Sequence, residues 1–260
     1  VICSDKTGTL TQNKMKAVKV TDYKAVQQEE NKINILSLAC LCNDCRKEGS
    51  LIVGEPTEIA LADALEETGE NFVRLKQQYK RVGEIPFSSE RKLMTTVHKM
   101  SDGSFLSITK GAPDILLEKC SHCIEHNNTV LFSEAKKGQA KKINGELAEQ
   151  ALRVIAVAFK KWNKKPNAME QKILEKELTF AGMIGMIDPP RPEVKQAVAV
   201  CKKAGIRAVM ITGDHVLTAK AIAQELGIYQ KNDKCMTGEE LQKISDEALA
   251  EKINQYSVFA

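Results

Sequence analysis

The chain opens with VICSDKTGTLT, residues 1–11, in which a short apolar run ends in a carboxylate and a polar turn. β-Branched and apolar residues followed at once by a Gly-containing turn predict a buried strand over residues 1–4. Asp5 then lies just past the carboxyl end of that strand, which is where ligands bind in open α/β sheets. A carboxylate at this place can attack a phosphoryl group and form an aspartyl-phosphate.

Strands and helices alternate in the last third of the chain. The sequence predicts a strand over 180–187, a helix over 192–203 that begins with proline, and a second strand over 206–211. A helix over 218–226 and a strand from Val258 continue the pattern. This alternation predicts βαβ units and a parallel sheet, with residues 1–4 as its central strand. We therefore expect one discontinuous domain formed by residues 1–20 and 180–260.

Residues 21–179 follow a different pattern, in which short turns separate successive strands. The predicted elements are strands at 80–86, 92–100, 104–109 and 154–159, and helices at 113–119 and 134–152. Such a succession predicts an antiparallel sheet flanked by helices. The expected fold class is α/β: a parallel-sheet domain, discontinuous in sequence, with an inserted α+β antiparallel-sheet domain.

Composition is that of an ordinary globular protein. Of 260 residues, 43% are apolar and 28% charged, and no apolar run approaches the ~20 residues that a membrane span needs. The net charge of +4 suits a polyphosphate ligand and is too small and too scattered to indicate a nucleic-acid partner. Both ends of the chain read as core strands, so we expect it to be a region of a longer polypeptide.

The cysteines permit two interpretations. Zinc sites use pairs of closely spaced ligands, and the chain has two candidate clusters, Cys40, Cys42 and Cys45, and Cys120 and Cys123 with His122 and His126. The alternative is that cysteines in an apolar helical stretch are small buried hydrophobes. We favour the second interpretation, and a reducing compartment for the thiols.

The heptapeptide DKTGTLT, residues 5–11, resembles the phosphorylation motif of P-type ATPases, the ion and lipid pumps. Haloacid dehalogenase-like phosphatases carry a second Asp two residues after the nucleophile, where this chain has Thr7. A hydroxyl does not readily deprotonate water, so an acyl-phosphate on Asp5 should last, as a pump requires. The resemblance implies that Lys6 neutralises phosphate charge and that Asp5 and Thr7 ligate Mg²⁺.

Two further segments of the parallel-sheet domain resemble motifs of the same family. Thr212-Gly213-Asp214 directly follows a predicted strand and resembles the segment that holds the phosphate. The stretch DPPR, residues 188–191, resembles the hinge motif, and through it Asp188 and Arg191 are implied to act at the nucleotide site.

The inserted domain carries the segments that resemble the family's nucleotide site. They are KGAPD at 110–114, which ends in Asp where the family has Glu, PFSSERK at 86–92, and GEPTE at 54–58. The resemblance implies that an aromatic ring stacks on adenine and that cations contact the nucleotide. The implied residues are Phe87, Lys92, Lys110, Gly111, Glu55, Glu58 and Arg153.

These motifs follow the family order and cover nearly the whole chain, with most similarity to the bacterial calcium-pump branch, type II. The resemblance implies a haloacid dehalogenase-like, Rossmann-like phosphorylation domain, ATP and Mg²⁺ as cofactors, and a cation carried by membrane helices. It further implies actuator and membrane domains in the same polypeptide and a place at the cytoplasmic face of a membrane. A motif that completes the Mg²⁺ site would follow residue 260, so we expect this region to bind ATP and to phosphorylate poorly. A soluble phosphatase of the same superfamily and a non-catalytic nucleotide-binding module remain the alternatives.

Overall fold

The computed structural model describes residues 1–24, 29–214 and 216–260. The chain forms two compact units. The discontinuous unit comprises Val1–Lys14, Ala148–Leu152 and Asp188–Ala260, and the inserted unit comprises Met15–Leu147 and Arg153–Ile187. The inserted unit thus begins earlier and ends later than the expected 21–179.

Strands and helices follow one another along the described residues. The strands are β1 (Ile2–Asp5), β2 (Lys16–Thr21), β3 (Arg46–Glu48), β4 (Leu51–Val53), β5 (Arg81–Ser88), β6 (Leu93–Lys99), β7 (Phe105–Gly111), β8 (Cys120–Glu125), β9 (Asn128–Leu131), β10 (Arg153–Trp162), β11 (Leu178–Ile187), β12 (Ala208–Ile211), β13 (Lys234–Met236) and β14 (Tyr256–Phe259). The helices are α1 (Glu29–Leu41), α2 (Pro56–Glu66), α3 (Phe72–Gln78), α4 (Pro113–Glu118), α5 (Glu134–Glu149), α6 (Gln171–Leu174), α7 (Pro192–Lys203), α8 (Val216–Glu225), α9 (Gly238–Lys243) and α10 (Asp246–Lys252).

The discontinuous unit is built on a four-stranded sheet in the order β1-β12-β14-β13, and its neighbouring strands are all parallel. Met210 and Val258 lie fully buried at its centre. Ala219 and Ile222 of α8 pack on the same core, one turn apart on the apolar face of that helix. The parallel sheet predicted for this part of the chain is therefore present.

The expectation that residues 1–4 form the central strand is wrong. Within the described residues β1 pairs with β12 alone, at the edge of the sheet. Val1 and Ile2 are accordingly 79% and 46% exposed. An apolar β-branched run predicts a strand, but it does not determine the strand's place in the sheet.

The inserted unit contains a larger sheet in the order β5-β6-β7-β10-β11-β8-β9, with β2 on the other part of β11. Its pairs are antiparallel except for β8 with β11. The predicted antiparallel sheet is thus present, with one parallel pair within it.

The expectation that the strand over 180–187 belongs to the parallel sheet is wrong. Strand β11 pairs antiparallel with β10 and β2 inside the inserted unit. Nine of its ten residues are buried. An uninterrupted apolar strand is typical of parallel sheets, but a central antiparallel strand covered on both faces has the same pattern.

The core of the inserted unit forms where α1, α2 and α3 pack on the sheet. Pro56 occupies the first turn of α2, where its missing N–H costs nothing, and buried Leu61 and Leu65 follow at helical spacing. Each such leucine contributes about 1.5–3 kcal/mol by burial. Among the described helices, none has the length and apolar character needed to cross a membrane.

Candidate functional site

Asp5 lies at the carboxyl end of β1, as the sequence predicted. It is the last residue of the strand, opposite Ile211 at the end of β12, and its side chain is exposed. Because β1 and β12 run parallel, Thr212 follows at the same edge of the sheet as Asp5. The structure therefore brings the two predicted strand-end motifs to one edge.

Lys6 links these two motifs directly. Its side chain is only 7% exposed, and its ammonium forms an ion pair with the carboxylate of Asp214. The backbone N–H of Asp214 donates to Oγ1 of Thr212 at 3.1 Å, which closes a local turn around Gly213. A buried, paired cation thus directly follows the exposed Asp5 in sequence.

The turn after Asp5 folds back on the segment that follows β11. Oγ1 of Thr11 donates to Oδ2 of Asp188 at 2.6 Å, and the backbone N–H of Lys14 donates to Oδ1 of Asp188 at 3.1 Å. Nη2 of Arg191 donates to the carbonyl oxygen of Gly8 at 2.9 Å. Asp188 and Arg191, predicted at the nucleotide site, therefore contact the phosphorylation-motif turn within the discontinuous unit.

A metal ion at this edge would find two donors among the predicted ligands, the carboxylate of Asp5 and the backbone carbonyl of Thr7. Both residues are exposed. No group of three His, Cys, Asp or Glu side chains suited to a metal occurs in the described part of the chain. Mg²⁺ commonly takes one or two carboxylates and fills its octahedron with water and substrate phosphates. The donor set fits Mg²⁺ on that condition, with phosphate oxygens completing the shell.

A second group of predicted residues meets at one end of the sheet in the inserted unit. The β5–β6 turn is closed by the backbone N–H of Lys92, which donates to the carbonyl of Ser88 at 2.6 Å. The carbonyl of Lys92 in turn accepts the N–H of Ala112 at 3.1 Å. This bond joins the segment 86–92 to the segment 110–114, which are distinct motifs in the sequence.

Gly111 is required at this junction. A Cβ on residue 111 would overlap the carbonyl oxygen of Lys92 and lie 2.9 Å from Cα of Leu93. Its φ of +156° also lies outside the usual range of L side chains. The glycine therefore permits the close approach of two backbones that the sequence motif alone could not explain.

Lys110 is buried and paired. Its side chain is 8% exposed and its ammonium contacts Oε1 of Glu58, which is 13% exposed. Oε2 of Glu58 accepts the backbone N–H of Asp44 at 2.9 Å. Both predicted residues are therefore largely buried and in contact with each other, and they are not free surface charges.

The remaining predicted residues are exposed, and three of them lie at the same end of the sheet as Lys110. Phe87 is 60% exposed at the end of β5, and Lys92 and Arg153 are exposed as well. Register places Val157 of β10 opposite Lys110, so strand alternation puts Arg153 on the same face of the sheet. Glu55 is exposed at the residue before α2. An exposed ring and several cations at one strand end suit a purine nucleotide with its phosphates.

Sequence reasoning missed two supports of this site. Asn43 is fully buried; its Nδ2 donates to the carbonyl of Glu58 at 2.9 Å and its Oδ1 accepts the N–H of Cys45 at 2.7 Å. Arg91 pairs with Glu175 at 3.1 Å behind the β5–β6 turn. The position of Asn43 between cysteines in a turn-forming stretch is only a weak sequence signal of a structural role. Nothing in the sequence around Glu175 indicates its pairing with Arg91.

The cysteines of the first cluster are buried, as expected of small apolar side chains. Cys40 and Cys42 are fully buried, and burial raises the pKa of both thiols. Burial also raises the pKa of Cys45 to about 11.

A cavity of about 580 Å³ elsewhere in the inserted unit is lined by Leu106 and Phe159, among others, and includes none of the predicted site residues.

Comparison with known proteins identifies the family. A family model described as P-type ATPase, cytoplasmic domain N, matches residues 31–193. The whole chain aligns with Calcium-transporting ATPase 1 of Bacillus cereus at 45% identity over 30% of that protein, and with the calcium-transporting ATPase of Bacillus subtilis at 39% over 32%. A probable cation-transporting P-type ATPase of Mycoplasma genitalium is 40% identical over 27% of its length.

The chain spans about 30% of the length of these curated relatives. The match of the family model to more than half of the chain agrees with the strand-end motifs and the nucleotide-type site described above. The chain belongs to the P-type ATPase family.

Proposed function

We propose that the chain is the catalytic region of an ATP-driven cation pump, in which Asp5 accepts the γ-phosphoryl group of ATP. A carboxylate oxygen of Asp5 forms a bond to the γ-phosphorus as the bond from that phosphorus to the bridging oxygen of ADP breaks. ADP leaves with the electron pair, and an aspartyl-phosphate remains on the protein. Water later hydrolyses this acyl-phosphate and releases inorganic phosphate.

Several residues of the discontinuous unit prepare this transfer. The Asp5 carboxylate is exposed and can attack the phosphorus as a nucleophile, and Lys6, the next residue, carries a positive charge that would offset the charge of the phosphate. Thr212 presents a hydroxyl and Gly213 a bare backbone at the same sheet edge. Mg²⁺, held by Asp5, by the carbonyl of Thr7 and by phosphate oxygens, would neutralise charge on the phosphates.

The inserted unit is proposed to bind the nucleotide. Phe87 stacks on adenine, Lys92 and Arg153 contact phosphate or ribose oxygens, and the Lys110–Glu58 pair forms the floor beside Gly111. Glu55 lies one turn from Glu58 at the start of α2 and borders the site. The proposal is supported by the hydrogen bond between Lys92 and Ala112, which joins the segment 86–92 to the segment 110–114 at one end of the sheet.

We further propose a haloacid dehalogenase-like fold for the discontinuous unit, on the basis of the parallel sheet and the strand-end position of Asp5. Ca²⁺ is the proposed cargo, because the relatives from two Bacillus species are calcium-transporting ATPases. The proposed partners are membrane and actuator domains of the same polypeptide, at the cytoplasmic face of a membrane. The observation that carries the proposal is the placement of Asp5 and Thr212 at one edge of parallel strands.

ATP binding tests the nucleotide half of the proposal. Calorimetric titration of the chain should give a Kd in the micromolar to millimolar range. Asp5→Asn should leave this Kd unchanged, whereas Lys110→Ala should raise it sharply. Equal affinity in the wild-type chain and in Lys110→Ala would overturn the assignment, and rapid hydrolysis of simple phosphate monoesters would favour the phosphatase alternative.

A further inference from the structure

A buried carboxylate lies behind the turn that carries the exposed ring and cation of the nucleotide site. The side chain of Glu175 is 0% exposed, and that of its partner Arg91 is 9% exposed. Oε1 of Glu175 accepts Nη1 of Arg91 at 3.1 Å and the hydroxyl of Thr95 at 2.8 Å. Thr95 also bonds Oγ1 of Thr109 at 3.0 Å, which extends the polar cluster across to β7.

The guanidinium of Arg91 holds both strands that leave the turn. Nη1 donates to the carbonyl of Leu93 at 2.8 Å, and Nη2 donates to the carbonyl of Pro86. Pro86 directly precedes Phe87, and Leu93 directly follows Lys92. Arg91 therefore fixes the backbone on either side of the two residues proposed to bind the nucleotide.

This buried polar network contributes little to the stability of the fold for the desolvation that it requires. Nε of Arg91 and Oε2 of Glu175 are buried and have no hydrogen-bond partner among the described residues. Burying an ion pair costs desolvation free energy that the attraction between the charges often fails to recover, and well-packed apolar residues serve stability as well or better. The network is better explained by the geometry that it imposes on the turn.

The turn is also one that needs support. Lys92 has a φ of +54°, a left-handed conformation that non-glycine residues rarely adopt. Such a conformation persists when surrounding contacts determine it. The carbonyl of Lys92 then points to the N–H of Ala112, so the same conformation aligns the turn with Gly111.

We propose that Glu175 is a positioning residue for nucleotide binding: it holds Arg91, and Arg91 sets the β5–β6 turn that presents Phe87 and Lys92. This inference rests on the proposed function of that site. Glu175 does not touch the nucleotide itself. Its effect on affinity must therefore pass through the turn.

The test compares Glu175→Gln with Leu174→Ala. Glutamine retains the shape and an acceptor for Thr95 but removes the charge that holds Arg91. Leu174 is the preceding residue and is fully buried, so its truncation perturbs the same segment but leaves the Glu175 and Arg91 side chains unchanged. Urea unfolding first establishes that each variant is folded, and ATP affinity is then measured calorimetrically. Glu175→Gln should raise Kd about fivefold or more, whereas Leu174→Ala should leave it within about twofold.

A double-mutant cycle separates positioning from general loosening of the unit. If Glu175 acts through the turn, Glu175→Gln should weaken binding less in the Phe87→Ala background than in wild type. Equal fold-changes in both backgrounds, or unchanged affinity in Glu175→Gln, would overturn the inference. Should Glu175→Gln fail to fold, Arg91→Lys replaces it, since lysine retains a charge for Glu175 and cannot donate to both flanking carbonyls.

Failure of the proposed function has a different signature. If the wild-type chain does not bind ATP, or if Phe87→Ala binds ATP as tightly as wild type does, the proposed nucleotide site itself is refuted. If the wild-type chain binds ATP and Phe87→Ala weakens binding while Glu175→Gln does not, the nucleotide site stands and only the role of Glu175 is refuted.

Discussion

Replacing Phe87 with alanine tests the proposed adenine contact. The ring is 60% exposed at the end of β5, so most of its area is available to a ligand and not buried in the core. Stacking of a base on an aromatic side chain contributes about 1–3 kcal/mol by alanine substitution. Since each 1.4 kcal/mol is tenfold in affinity, Phe87→Ala should raise the Kd for ATP by about 5- to 150-fold.

The effect on stability should be smaller and separable. Full truncation of a buried Phe costs about 3–5 kcal/mol, and scaling by the two-fifths of this ring that is buried leaves about 1–2 kcal/mol. Leu131→Ala is a matched control, because Leu131 is 68% exposed on β9, away from the site. The measurements are calorimetric ATP titration and urea unfolding of wild type and both variants. Leu131→Ala should lose stability on a similar scale and no affinity.

Two results would refute the stacking role of Phe87. One is an ATP affinity in Phe87→Ala within twofold of wild type. The other is an equal loss of affinity in Leu131→Ala, which would trace the effect to reduced stability of the inserted unit. Adenosine and tripolyphosphate as competitors give a further check, because only adenosine binding should depend on the ring.

Two other predictions concern the inserted unit. Burial lowers the pKa of His98 to about 4, and the unfolded chain has a pKa of about 6.5, so the free energy of unfolding should fall by roughly 3 kcal/mol as pH drops from 6.5 to 4. Urea unfolding of wild type and His98→Gln across that range checks this, and equal pH dependence in both would contradict it. Gly111→Ala should destabilise the unit and weaken ATP binding, because its Cβ meets a neighbouring backbone. Gly103 has a φ of +85°, and a Cβ added there would meet no atom within 4 Å, so Gly103→Ala measures the effect of backbone conformation alone. An equal loss of stability in Gly111→Ala and Gly103→Ala would contradict the steric explanation.

Local patterns were enough to locate both candidate sites. The apolar run before Asp5 and the strand before Thr212 each end as the sequence predicted, and parallel pairing then brings the two ends together. Prolines at the first helical position marked the starts of α4 and α7. These features depend on residues close in sequence, where backbone preference and spacing have direct physical meaning.

Partners distant in sequence could not be predicted in this way. Apart from Thr179 and its glycines, the strand at 178–187 is apolar, and nothing within it distinguishes a parallel from an antiparallel neighbour. Edge placement of β1 likewise depends on which strands lie beside it. Glu175 meets Arg91 across 84 residues of sequence, and a charged residue near a turn is ordinarily taken as solvent-exposed.

The nucleophilic role of Asp5 is the central claim, and direct detection of the acyl-phosphate tests it. The protein that carries this chain is incubated with γ-labelled ATP, Mg²⁺ and Ca²⁺, quenched in acid, and digested, and the labelled peptide is sequenced by mass spectrometry. The proposed function predicts a hydroxylamine-sensitive label on Asp5 and no label in Asp5→Asn, which still binds ATP. A label on another residue, or one that persists in Asp5→Asn, would contradict it.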